Sequence, residues 1–79
     1  EPQTIRFNYY GPSVEAVLDK FSMAKVVDKQ DGVCSIEAEV FGTGVKMWLL
    51  SQGSRVKVTA PETLVQEMKQ EIEKMDDRY

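Results

Sequence analysis

A two-layer α+β sandwich, with one antiparallel sheet and helices packed on one of its faces, is the fold class this sequence predicts. Three observations carry that reading. Short segments alternate apolar and polar residues with period two, other segments repeat apolar residues at helical spacing, and Gly or Pro punctuates the joins between them. At 79 residues, with 42% hydrophobic and 29% charged, the chain has the composition of a folded protein and the size of a single domain, residues 1–79.

The first strand runs from Thr4 to Tyr10, where Ile5, Phe7 and Tyr9 alternate with Arg6, Asn8 and Tyr10. Gly11, Pro12 and Ser13 break it and open a helix, because an early Pro loses no helical hydrogen bond. Val14, Val17, Leu18 and Phe21 then fall on one helical face.

Met23 to Asp28 reads as the second strand and Val33 to Phe41 as the third, the latter with Cys34, Ile36, Ala38 and Val40 on one face. Gln30, Asp31 and Gly32 join them. A three-residue loop ending in a left-handed Gly and a two-residue Asp-Gly turn both fit this stretch. Register separates them, because a slip of one residue moves every side chain to the other face. The longer loop sets Ala24 opposite Ala38, Val26 opposite Ile36 and Lys25 opposite Glu37, and it leaves no charge in the core. The shorter turn sets Lys25 beside Ala38, so the longer loop is preferred.

Gly42 and Gly44 lead into a short second helix with Val45, Trp48 and Leu49 on one face, ending at Gly53. Arg55 to Thr59 is the fourth strand, with Val56 and Val58 inward. Pro61 and Glu62 open a long third helix in which Leu64, Met68, Ile72 and Met75 form one apolar line. Thr59 and Glu62 have capping-box spacing. A line one residue wide per turn predicts a helix that is either loosely held or used against a partner.

The order strand, helix, strand, strand, helix, strand, joined by right-handed crossovers, gives the sheet order 4-1-3-2 with the first two helices on one face. This is a ferredoxin-like two-layer sandwich (βαββαβ) with an added C-terminal helix. Arg6, Asn8, Tyr10, Lys25, Val27, Ser35, Glu37, Glu39, Arg55, Lys57 and Thr59 line the other, open sheet face. The third helix is free to lie against it.

Composition narrows the function classes. A net charge of -3 and a pI near 4.9 oppose direct nucleic-acid contact, which needs a cationic excess. Strand three offers Ser35, Glu37 and Glu39 where an RNA-binding sheet needs aromatics, and Tyr10 is the one aromatic assigned to that face. No apolar run approaches the roughly 20 residues of a membrane span. With no histidine and a single cysteine, Cys34, in an apolar run, the parts of a triad or zinc site are missing, and no cofactor is expected. Glu37 and Glu39 share a face but sit among cations, so they read as solvated rather than catalytic. A lone core thiol fits a reducing, cytoplasmic setting. The first residue is Glu1 rather than Met, which predicts an excised piece of a larger protein.

The segment Val45 to Gly53, VKMWLLSQG, followed by VKV and APETL, resembles the C-terminal extension, WCX, of WYL-domain bacterial transcriptional regulators of the winged helix-turn-helix, DeoR type. The likeness extends to IRF near the start, the hairpin at Asp31 and Gly32, and the closing acidic helix. It implies a ferredoxin-like extension in a cytoplasmic regulator, contributing to dimer contacts or effector response, with DNA bound by an N-terminal domain and no catalytic residues. Trp48, Leu49, Leu50 and Gly53 match the pattern as structural positions.

The expected function is therefore non-catalytic regulation or assembly, with a second copy or the parent chain's WYL domain as partner. The alternative is sensing of a small anionic effector on the open face, where Arg6, Asn8, Tyr10, Arg55 and Lys57 are the candidates. Small cores often lean on a neighbour. Met47 and Leu50, which fall off the inward stripe of the second helix, and Met68 and Met75 on the third are the candidate interface residues.

Overall fold

A computed structural model describes residues 2–79; Glu1, whose identity prompted the expectation of an excised piece, lies outside them. The elements are β1 (Pro2–Tyr9), α1 (Val14–Lys20), β2 (Ala24–Gln30), β3 (Val33–Phe41), α2 (Val45–Ser51), a 3-10 turn (Gly53–Arg55), β4 (Val56–Ala60) and α3 (Glu62–Asp77). The strands form one antiparallel sheet in the order β2-β3-β1-β4, which is the expected 4-1-3-2 read from the other edge.

The two central strands carry the core. Ile5, Phe7 and Tyr9 of β1 and Cys34, Ile36, Ala38 and Val40 of β3 are all buried, as their alternation requires. Register sets Ile5 opposite Ala38, Phe7 opposite Ile36 and Tyr9 opposite Cys34. Val17 of α1 and Val45 and Leu49 of α2 close over them. Phe7, Phe21 and Trp48 meet edge to face, with ring centroids 4.8 Å apart for Phe21 and Trp48, so Trp48 packs against the core as expected. Where the chain leaves β1, a side chain at Gly11 would overlap the Tyr9 ring, and glycine leaves room for it.

The hairpin resolves its two readings by combining them. The turn is the two-residue Asp31-Gly32, with φ of 53° and 80° and Gln30 paired to Val33, so Gln30 belongs to the strand and not to a three-residue loop. Left alone, that turn would bring Lys25 onto the core face. A bulge at Val27 takes up the extra residue and restores Ala24 opposite Ala38, Lys25 opposite Glu37 and Val26 opposite Ile36, the pairs the longer loop predicted. Val26 is nevertheless 39% exposed, not a core residue, because β2 is the sheet edge. Leu18 is only half-buried and lies outside the core cluster.

Helix α3 lies on the helix side of the sheet and not against the open face. Leu64 joins the core, Met68 packs on it, and Lys46 Nζ sits 3.7 Å from Glu71 Oε1, tying α2 to α3. The expected capping box is absent: Pro61 is the N-cap, after a cis Ala60–Pro61 bond, and makes no side-chain cap, while Thr59 is held in β4. At about 1.5 Å per residue the 16 residues of α3 span roughly 24 Å, whereas the 5 residues of β4 span roughly 17 Å at about 3.3 Å each. The helix therefore outruns the strand it returns along.

Candidate functional site

Three surfaces stand out, and the open sheet face is the most ordered. Arg6 on β1 faces Glu37 on β3 in direct register and donates to Glu37 Oε2 from Nε at 2.9 Å and from a terminal nitrogen at 2.7 Å. Lys25 on β2 approaches Glu37 Oε1 from the other side at 3.6 Å. A carboxylate bridging two cross-strand cations ties three strands together. The hydrogen bond from Arg6, and then the nearby positive charges, hold the Glu37 carboxyl below its usual range. Two residues further along, Ser35 donates to Asn8 Oδ1 at 2.8 Å.

This network redistributes the candidate ligand residues. Arg6 is engaged by Glu37 and Asn8 by Ser35, so neither is a free contact. Arg55 is not in β4; it closes the 3-10 turn, and its carbonyl accepts from the Tyr10 N–H at 2.7 Å. Tyr10 itself lies just past the end of β1 and is exposed. Lys57 faces Asn8 across the strands. Tyr10, Arg55 and Lys57 thus gather at one corner of the sheet, and neither cation lies within ion-pair distance of a carboxylate among the described residues. Glu37 is balanced by Arg6 and Lys25, the cations it sits among.

The second surface is the far end of α3. Leu64 is 4% exposed, but Ile72 is 53% and Met75 47% exposed although they continue the same apolar line. Met68 is packed on its own core, which removes it as a wholly free interface residue, while Met75 remains one. On α2, Met47 is 68% exposed and Leu50 half-buried.

The third surface was not anticipated. β2 begins at Ala24 opposite Ala38, so Glu39, Val40 and Phe41 outrun it and leave an open groove of about 360 Å³ beside them. Phe21, Met23, Phe41 and Trp48 line it, with Lys20 and Glu39 at its polar edge. Phe41 is exposed and shares the open-face phase of β3, so Tyr10 is not the one aromatic on that side. The sequence signal was present in the phase of Phe41, one residue out of step with Val40.

No group of three or more His, Cys, Asp or Glu able to hold a metal occurs among the described residues, and Cys34 is buried. Among the described residues no helix is long and apolar enough to cross a membrane. The three surfaces are a polar sheet face, an apolar helix end and an open groove.

The family model that describes the WCX domain matches residues 1–75, nearly the whole chain. The chain belongs to the WCX domain family. That match takes in every strand and helix described above, up to Met75 near the end of α3. No curated protein matches the chain. In this WCX domain Trp48, Leu49 and Leu50 lie on α2 and Gly53 begins the 3-10 turn at a φ of 61°, a conformation glycine adopts readily.

Proposed function

We propose that this WCX domain is a non-catalytic regulatory and assembly module of a WYL-type transcriptional regulator, working in the cytoplasm through dimer or interdomain contacts. Family membership is the observation that carries the reading, since WCX domains accompany regulators of that type. The sheet order and the two crossover helices support a ferredoxin-like sandwich extended by α3. The chain's most distinctive exposed groups are apolar, at Met47, Ile72 and Met75, which suits contact with protein better than chemistry. DNA contact is left to another domain of the regulator.

The test is made in a WYL-type regulator that carries this domain. Deleting residues 1–79 of the present numbering is expected to change the regulator's assembly state, followed by sedimentation, and its response at its operator. A regulator that assembles and responds unchanged after the deletion would sink the proposal.

A second reading, capture of a small anionic effector, is supported by the corner where Tyr10, Arg55 and Lys57 gather without a carboxylate partner among the described residues. It predicts that Arg55→Ala with Lys57→Ala blunts the effector response while assembly persists. An effector response that survives both changes removes this corner from consideration.

A further inference from the structure

Seen from its last apolar residues, α3 has a stricter pattern than a single stripe. Val65, Met68, Ile72 and Met75, with Tyr79 just past the helix end, are spaced three, four, three and four residues apart, the alternation of a coiled-coil seam. The front of that seam is used internally, because Met68 packs on the core and Val65 is half-buried. The back is free: Ile72, Met75 and Tyr79 are all exposed.

We propose that two copies of this domain pair through the free ends of α3, packed antiparallel so that Ile72 of each copy meets Met75 of the other. The proposal rests on the assembly reading above and names its partner and its geometry. Two independent features select the antiparallel arrangement.

The first is steric. A parallel pair would set Met68 of both copies face to face, where each is already packed on its own core, with half-buried Val65 beside it. An antiparallel pair overlaps only the C-terminal half of α3 and leaves the two sandwiches at opposite extremes.

The second is charge. Lys69 and Asp76 flank one side of the seam, and Glu71 and Arg78 flank the other. With Ile72 opposite Met75, antiparallel packing brings Lys69 of one copy beside Asp76 of the other and Glu71 beside Arg78, opposite charges throughout. Two-fold symmetry makes each contact twice. Parallel packing would instead set Glu71 against the Asp76 of the other copy, a repulsion. Neither Lys69 nor Asp76 has an ion-pair partner among the described residues, and Glu71 is already steadied by Lys46.

Sedimentation equilibrium of the 79-residue chain tests this directly. The expected result is a monomer–dimer equilibrium that Ile72→Asp abolishes, with the far-ultraviolet circular dichroism unchanged. Asp76→Lys is expected to weaken the dimer by roughly threefold to tenfold, because two attractive contacts become repulsive. Adding Lys69→Glu to that variant should restore the affinity. These charge changes fall at exposed positions, so they report on pairing even if Ile72→Asp disturbs folding. A chain that stays monomeric up to millimolar concentration overturns the proposal, as does a dimer that Ile72→Asp leaves intact. A dimer tightened by Asp76→Lys overturns it too, since only parallel packing gains from that change. If the isolated chain is monomeric yet its deletion disrupts a regulator's assembly, α3 pairing fails while the assembly reading stands.

Discussion

Glu37 sits between cations on the two strands that flank its own, and this placement makes a surface residue matter to the sheet. Its carboxyl is held below the usual range chiefly by the Arg6 hydrogen bond, so the folded chain binds that proton more weakly than the unfolded chain does. The stabilisation is therefore complete above the ordinary carboxylate range and fades as pH falls through the depressed value. Glu37→Gln is expected to lower the urea midpoint at about pH 7, and the deficit should shrink at an acid pH low enough to protonate the wild-type carboxyl. A deficit of the same size at both pH values would refute the assignment. Arg6, one of the candidate anion contacts, acts here as a strut between strands.

At the scale of elements, the β2–β3 hairpin reaches its register through two compensating irregularities, a tight turn and a bulge. Removing the bulge should leave the register standing. With Val27 deleted, the Asp31-Gly32 turn alone sets Val26 opposite Ile36 and Lys25 opposite Glu37, the native pairs. The deletion is expected to fold with a thermal midpoint within a few degrees of the parent, against a loss of roughly 2 kcal/mol or more if the bulge itself holds the edge. Its cost should appear elsewhere. A bulge twists an edge strand away from flat pairing, so the variant is expected to aggregate more readily on concentration, measured by light scattering. Unfolding of the deletion variant would show that Val27 does more than absorb a residue.

At the scale of the whole molecule, charge is divided unevenly. From Glu62 to Tyr79 six carboxylates face three cations, while the remaining 61 residues carry seven of each. The entire net charge of -3 thus resides in the α3 segment, the element proposed to pair, where opposite charges must be placed well for pairing to win. Most of the sheet was legible because β1 and β3 are central and two-sided, so their alternation maps onto burial at Ile5, Phe7, Ile36 and Ala38. Edge strands weaken that rule, as exposed Val26 illustrates. The face taken by α3 was not legible, since an apolar line says that something covers it without saying what. Thr59 had capping spacing, but β4 claimed it first. The corner of Tyr10, Arg55 and Lys57 was readable residue by residue; the engagement of Arg6 by Glu37 needed the register.

The excess length of α3 over β4 also implies a gradient in local opening along one helix. Backbone amides near Leu64 and Met68 can exchange with solvent only when packed structure opens, whereas those after Ile72 need only fraying of the last turns. Hydrogen–deuterium exchange on dilute protein should show protection falling steadily from Leu64 to Arg78. Raising the concentration until copies pair should slow exchange selectively between Ile72 and Arg78, and uniform slowing along the chain would speak against a contact confined to that end. The helix would then be a reporter of its own occupancy, rigid where it serves the monomer and rigid throughout only in company.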